Sequence, residues 1–147
     1  MKSTVLIVDD KPENLLVLEA LLGGNYHLLK AHSGMEALDL LEVNLVHLVL
    51  LDIEMPGMDG YETTQRIRQM PQQMDVPIIL ISGVFTDDPY VKKGYKAGAV
   101  DYFTKPFDPE LLRQKVALYA SLRLKDELIR KKDARIRELE ERFEERV

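Results

Sequence analysis

The stretch LVLLDIEMPG, residues 48–57, decides both the fold and the chemistry of this 147-residue chain. Four apolar residues suited to a buried strand end abruptly at Asp52. The stretch VLIVDD, residues 5–10, has the same pattern, because its apolar run ends at Asp9 and Asp10. Charged groups beside a buried strand are costly unless something compensates them. Both strand ends are therefore predicted to contribute to a functional site.

Five short apolar runs alternate with stretches whose apolar residues recur at helical spacing. Strands that alternate with helices pair in parallel and are covered by helices on both faces. We therefore predict an α/β fold with a doubly wound, five-stranded parallel sheet in the flavodoxin-like order 2-1-3-4-5, in which the first and third strands are neighbours. The predicted strands are Thr4–Val8, Tyr26–Ala31, His47–Leu51, Ile78–Ile81 and Val100–Phe103.

In that sheet Asp9, Asp10 and Asp52 meet at the carboxyl ends of two neighbouring strands, where such folds bind ligands. Close carboxylates repel by about 3–4 kcal/mol per pair at an effective dielectric of about 20, so a cation is expected among them. Mg²⁺ is the natural candidate because it takes hard oxygen ligands. Two later strands end in the hydroxyl of Ser82 and near the ammonium of Lys105. These groups suit phosphoryl transfer, with Asp52 as the nucleophile.

The composition of the chain excludes several classes of protein. A net charge of −5 argues against nucleic-acid binding through this chain, and the absence of cysteine excludes disulfides and zinc–thiolate sites. The longest uncharged apolar run is too short to span a membrane. We therefore expect a cytoplasmic protein that binds neither nucleic acid nor membrane directly.

Four motifs together resemble the receiver domain of two-component response regulators: LIVDD, LLDIEMPGMDGYE, PIILISG and KAGAVDYFTKPF. They match that family in order and spacing over about residues 3–122. The resemblance implies a phosphoacceptor that takes its phosphoryl group from a sensor histidine kinase or a phosphotransfer protein. It also implies that the chain is not an enzyme beyond catalysing its own phosphorylation and dephosphorylation.

The same resemblance implies roles for the acid cluster. Asp52 would be the phosphorylated residue. Mg²⁺ would be bound by the carboxylates of Asp10 and Asp52 and by the backbone carbonyl of Glu54. Asp9 would reach the ion through a water molecule.

The resemblance also implies roles for the groups around the phosphoryl group. Lys105 would pair with it and would precede a cis peptide bond to Pro106. Ser82 would move to bind a phosphate oxygen and Tyr102 would turn inward behind it, so these two residues are the predicted switch. The loop after Ser82 is about one residue longer than the family pattern. Glu54 and Val84, two residues beyond Asp52 and Ser82, occupy variable positions that the resemblance implies tune the lifetime of the phosphate.

Each assignment has a plainer alternative. Asp9 and Asp10 could cap the following helix, which is a common use of acids. The Lys105–Pro106 pair could be an ordinary turn. Tyr102 could serve core packing alone, as aromatic residues at strand ends often do. The first two alternatives leave Asp52 unexplained.

The C-terminal segment differs in composition from the rest of the chain. Sixteen of residues 125–147 are charged, eight of each sign, and neither glycine nor proline follows Pro109. We predict one unbroken helix from Asp108–Pro109 onward, with the receiver domain at 1–122 and a charged helical extension at 123–147.

Apolar residues in this helix recur every seven positions, as in a coiled coil. The predicted seam consists of Leu122, Ile129, Ile136 and Phe143, together with the second row Leu118, Lys125, Lys132 and Leu139. The seam predicts a homodimer through the C-terminal helix with the two chains parallel, and a single solvated helix is the alternative.

Two other functions fit parts of the sequence. A degenerate receiver could act only as a dimerisation scaffold, although Ser82, Lys105 and the complete acid set argue against it. A small phosphatase with an aspartate nucleophile is the enzyme alternative, because LLDIE loosely resembles the acid pair of that superfamily. It lacks a second acid at the later strand ends. The sequence names neither the kinase nor the output.

Overall fold

The computed structural model describes residues 2–83, 87–106 and 108–146. Within them, strands and helices alternate along the chain as predicted. A short 3₁₀ helix, Pro71–Gln73, precedes the fourth strand. The elements are β1 (Thr4–Val8), α1 (Pro12–Leu22), β2 (His27–Ala31), α2 (Gly34–Val43), β3 (Leu48–Asp52), α3 (Gly60–Arg68), β4 (Ile78–Ser82), α4 (Asp88–Ala97), β5 (Asp101–Thr104) and α5 (Pro109–Arg146).

The strands form one parallel sheet in the order β2-β1-β3-β4-β5, which confirms the predicted topology. No strand limit differs from its prediction by more than one residue. β3 and β4 each include the polar residue at their end, because backbone pairing continues through Asp52, opposite Ile81, and through Ser82, opposite Thr104. The sheet itself therefore holds these two side chains in place.

The sheet is buried on both faces, as its near-continuous apolar strands predict. α2 and α3 pack on one face, where Leu41 and Ile67 are buried. α1 and α5 pack on the other face, where Leu18 and Val116 are buried. Burying one such side chain fully contributes about 1.5–3 kcal/mol, so this core makes the sheet a stable base for charged groups at its edge.

The connection from β3 to α3 is held close to the end of β3. The side chain of Asp59 accepts a hydrogen bond from the Glu62 N–H at 2.9 Å and caps α3. The Gly60 N–H donates to the Ile53 carbonyl at 3.0 Å. A Cβ at position 60 would lie 2.7 Å from the Asp52 carbonyl oxygen. Glycine is therefore required where α3 begins against the end of β3.

α5 continues far beyond the sheet, as predicted from the absence of glycine and proline. Its 38 residues make it about 57 Å long at about 1.5 Å per residue. No helix among the described residues is long and apolar enough to cross a membrane.

Polar contacts hold the middle of α5 against the end of the sheet opposite Asp52. Arg123, only 8% exposed, donates to the carboxylate of Asp75 and to the Gln72 carbonyl. Arg130 donates to the other oxygen of Asp75 at 2.9 Å. We use the name base clamp for five residues: Asp75, Arg123 and Arg130, together with the pair His47 and Glu127.

The remaining pair of the base clamp is His47 with Glu127. The Nδ1 atom of His47 accepts a hydrogen bond from the Thr4 N–H at 2.9 Å. Its Nε2 atom lies 2.8 Å from the Glu127 carboxylate and donates a hydrogen bond to it. Contacts between α5 and the sheet thus extend past residue 122, and the division of the chain at that residue stays a prediction.

Candidate functional site

Three carboxylates meet at the carboxyl ends of β1 and β3, as the strand order predicts. One oxygen each from Asp9, Asp10 and Asp52 lies within 4.8 Å of the others. Asp9 and Asp52 are 3% and 5% exposed, and Asp10 is half-buried. The cluster therefore concentrates negative charge where little water can screen it.

Asp9 is fixed by neighbours in sequence. Its Oδ1 accepts from the Lys11 N–H and its Oδ2 from the Asn14 side-chain amide, both at 3.0 Å. The capping alternative is thus partly right, because Asp9 binds groups at the start of α1. It does not account for the cluster, since Asp10 Oδ1 is buried and has no hydrogen-bond partner within the described part of the chain.

Lys105 supplies positive charge from the end of β5. Its Nζ lies 3.3 Å from Asp52 Oδ1 and 3.6 Å from Asp9 Oδ2. The Lys105 N–H donates to the Ser82 carbonyl at 2.7 Å, and the predicted cis peptide bond to Pro106 is present. The backbone of Lys105 therefore continues the pairing of β5 with β4, and its side chain brings positive charge to the site.

One ammonium does not balance three carboxylates. Burial, and next the charge of Asp9, raise the pKa of Asp52 from 3.8 to about 7, while Lys105 acts to lower it. The adjacent Glu54 side chain also raises this pKa. A further cation would relieve this repulsion and keep Asp52 ionised.

The donor set fits Mg²⁺. Carboxylate oxygens are its preferred protein ligands. Asp10 Oδ1, buried without a partner among the described residues, is an oxygen that a bound cation would satisfy. Asp10 and Asp52 are the residues that would hold the ion, with Asp9 beside them. Coordination by the backbone carbonyl of Glu54 stays a prediction.

Ser82 lies at the end of β4 and is fully buried. Its hydroxyl donates to Oε1 of Glu54, a short contact that joins the ends of β3 and β4. The sequence predicted Ser82 at the site but not this hydrogen bond, because Glu54 was expected only to supply its carbonyl to the metal and to tune the lifetime of the phosphate. Asn14, which holds Asp9, was also missed.

Tyr102 is half-buried in β5 and packs against the core on the α2–α3 face. A Cβ at Gly94 of α4 would lie 3.1 Å from its ring, so α4 packs closely over it. This arrangement suits the packing alternative, and the switch role of Tyr102 stays a prediction. Val84 and the longer loop fall on residues 84–86, outside the described residues.

Comparison with known proteins agrees with this geometry. A family model described as the response regulator receiver domain matches residues 5–117. A curated relative from Vibrio cholerae, named a probable cyclic di-GMP phosphodiesterase, is 37% identical over 131 residues, which cover 88% of this chain and 30% of that protein. The chain spans about a third of the length of the first curated relatives it matches.

Solved structures show the same fold. A putative response regulator from Chloroflexus aurantiacus is 36% identical, with a TM-score of 0.77 over 82% of this chain and 99% of that one. The receiver domain of the sensor histidine kinase PA1611 from Pseudomonas aeruginosa is 28% identical, with a TM-score of 0.75 over the same shares, 82% and 99%. That structure has a magnesium ion coordinated in its active-site cleft.

Proposed function

Because this chain belongs to the response regulator receiver domain family, whose function is to accept a phosphoryl group, we propose that Asp52 is its phosphoacceptor. The observation that carries the proposal is the ammonium of Lys105, 3.3 Å from the Asp52 carboxylate at the end of β3. Asp9 is a poorer nucleophile, because hydrogen bonds to Lys11 and Asn14 already occupy both of its oxygens.

The phosphoryl donor in this proposal is the phosphohistidine of a sensor histidine kinase or a phosphotransfer protein. A carboxylate oxygen of Asp52 attacks phosphorus and an O–P bond forms. The N–P bond of the donor breaks, and the imidazole leaves with the electron pair and takes a proton from solvent. Lys105 is placed to pair with an oxygen of the transferred group. Mg²⁺, held by Asp10 and Asp52, would neutralise charge on the phosphoryl oxygens when bound.

The proposed switch begins at Ser82. Its hydroxyl leaves Glu54 and donates to a phosphoryl oxygen on Asp52, because the new oxygens carry more charge and lie at the same end of the sheet. Glu54 then loses its hydrogen bond from the Ser82 hydroxyl. The doubly charged phosphoryl group on Asp52 repels the Glu54 carboxylate. Tyr102, in the neighbouring strand β5, then turns inward behind Ser82.

The signal leaves the domain through α5 in this proposal. Two chains associate through the exposed seam of α5, and phosphorylation changes that association. A cytoplasmic location remains the expectation from composition. Some relatives are named phosphodiesterases, but this chain covers only about a third of them. Any such catalytic output would belong to a whole protein and not to the receiver.

The test uses acetyl phosphate as a small acyl-phosphate donor, with and without Mg²⁺. Wild type should take up one phosphoryl group per chain, Asp52→Asn should take up none, and EDTA should prevent the reaction. Asp39→Asn, a change of the same kind at an exposed acid of α2, is the matched control and should react like wild type. Continuous turnover of a phosphate monoester would instead favour the phosphatase, and no labelling of wild type would favour the degenerate scaffold.

A further inference from the structure

The seam of α5 is uncovered and faces away from the rest of the molecule. Leu122, Ile129, Ile136 and Phe143 are 53%, 55%, 52% and 71% exposed. At about 100° per residue, the mean direction of both rows of the seam lies about 160° around the helix from the mean direction of the residues that face the sheet and the base clamp, such as Leu112, Val116 and Glu127. A second helix can therefore lie along the seam without displacing the base clamp.

The charges that flank the seam are sorted by sign. With Leu122, Ile129 and Ile136 at the a positions of the heptad, the e positions are all acidic: Asp126, Asp133 and Glu140. The last two g positions are the arginines Arg135 and Arg142. In a coiled coil these flanking positions set the choice and the direction of the partner helix.

Several of these charges have no ion pair within the chain. In the ranges 2–83, 87–106 and 108–146, the structure has no ion pair that uses the carboxylate of Asp126, Asp133 or Glu140. The same holds for the ammonium groups of Lys125 and Lys132 in the seam. Other charges of the helix pair within the chain: Arg130 with Asp75, and both Arg135 and Arg142 with Glu138, a pairing that is exposed to solvent. A contact between Arg135 and a second chain would add to its contact with Glu138 or replace it.

We propose that the partner of this face is a second copy of the same chain, bound parallel and in register. The inference rests on the self-association in the proposed function and adds its direction and specificity. In a parallel pair each g position faces an e position of the other chain, so Arg135 meets the partner's Glu140 on both sides. An antiparallel pair sets e against e and g against g, which opposes acids to acids and arginines to arginines.

The two lysines of the seam fit the same arrangement. A d residue of a parallel coiled coil packs beside the e residue of the other chain. Lys125 and Lys132 are d residues, and the e residues that follow them are Asp126 and Asp133. Each ammonium therefore meets a carboxylate of the second copy. The lysines weaken the seam, because each is apolar only along its stem and faces its own copy across a parallel pair, and the partner's Asp126 and Asp133 offset that repulsion.

Cysteine cross-linking tests the direction, because the chain contains no cysteine of its own. Leu122→Cys and Ile136→Cys should each form a disulfide with the same variant under mild oxidation. Ala134→Cys, on the opposite side of α5, is the matched control and should stay uncross-linked. If neither seam variant cross-links with itself but Leu122→Cys cross-links with Leu139→Cys, the pair is antiparallel and the inference is overturned. If no combination cross-links, it is overturned as well.

Charge exchange gives a second, independent test by sedimentation. Arg135→Glu and Glu140→Arg should each raise the dimer dissociation constant by about fivefold, since two cross-chain pairs become repulsive. The double variant should return to the wild-type constant, and Arg137→Glu, outside the seam, should change it little. In an antiparallel pair the single exchanges would not create new like-charge contacts between e and g positions, so they would not raise the constant in this way. Labelling of Asp52 is measured on the same samples, so loss of pairing and loss of phosphoacceptor function are read separately.

Discussion

At the scale of single residues, Asp52 is the side chain on which burial and like charge act most strongly. Its carboxyl group is 5% exposed and lies beside Asp9, and its pKa rises to about 7 despite Lys105. In the metal-free protein this carboxyl group ionises only at a higher pH than an exposed aspartate, and a second cation beside it would favour its ionised form. The same property makes the stability of the protein depend on pH and on Mg²⁺.

Without metal, we expect the free energy of unfolding to fall as pH rises from about 4 to about 7. The unfolded chain releases the Asp52 proton near pKa 3.8, whereas the folded protein holds it until about 7. The folded state binds more protons across this window, so it loses stability as pH rises. Asp52→Asn should remove this decline and gain at most about 4 kcal/mol over wild type above the window.

Urea denaturation in EDTA at about pH 5 and about pH 8 measures this difference. Asp39→Asn, the exposed control, should keep the decline of wild type. If Asp52→Asn shows a decline of the same size as wild type, the raised pKa of Asp52 is wrong.

Mg²⁺ should stabilise the folded protein through Asp10. A ligand that binds only the folded state adds about 2.7 kcal/mol at a hundredfold excess over its dissociation constant. We therefore expect the Tm of wild type to rise as Mg²⁺ is added at neutral pH. Asp10→Asn should respond far less, and Asp39→Asn should respond like wild type. Equal responses of wild type and Asp10→Asn would place the metal elsewhere.

The sequence indicated some of this site and not the rest. Asp9, Asp10, Asp52 and Lys105 stand at strand ends, and the order of the strands brings such ends together. The Ser82–Glu54 hydrogen bond could not be predicted in this way, since it joins side chains 28 residues apart after two different strands. Its existence depends on side-chain packing, which has no periodic signal.

At the scale of elements, α5 joins two regions of the protein with different roles. Its first turns complete the core, where Leu112 and Val116 are fully buried. Farther along, the base clamp attaches it to the start of β3 and to the segment before β4. The clamp was not predictable, because Glu127 lies 80 residues from His47 and Arg123 lies 48 residues from Asp75.

Removing Arg123 from the base clamp should destabilise the protein. Arg123→Ala deletes a buried guanidinium that bonds Asp75 and the Gln72 carbonyl. Charged hydrogen bonds contribute about 1.5–3 kcal/mol each, and the half-exposed position of Asp75 reduces this, so we expect a loss of about 1–2 kcal/mol in urea denaturation. Arg137→Ala, in the exposed part of the same helix, should lower the free energy of unfolding by at most about 0.5 kcal/mol. Equal losses in the two variants would show that the clamp does not stabilise the fold.

At the scale of the whole molecule, the fold followed from the alternation of apolar strands with helices, because a parallel sheet covered on both faces buries such strands.

The association of two molecules depends on a different feature, the surface of α5 that the single chain leaves exposed. Ile129→Asp with Ile136→Asp should give monomers in analytical ultracentrifugation. Both positions are more than half exposed, so the unfolding energy should stay near that of wild type. Dimers as strong as those of wild type would place the contact on the globular part.

The central claim, that Asp52 accepts the phosphoryl group, is tested most directly by locating the adduct. An aspartyl phosphate is a mixed anhydride, and borohydride reduces it to homoserine, which mass spectrometry identifies by position. After reaction with acetyl phosphate and Mg²⁺, we predict homoserine at position 52 and unchanged aspartate at positions 9 and 10. Homoserine at position 9 or 10, or a phosphate that resists reduction because it is an ester, would contradict the account.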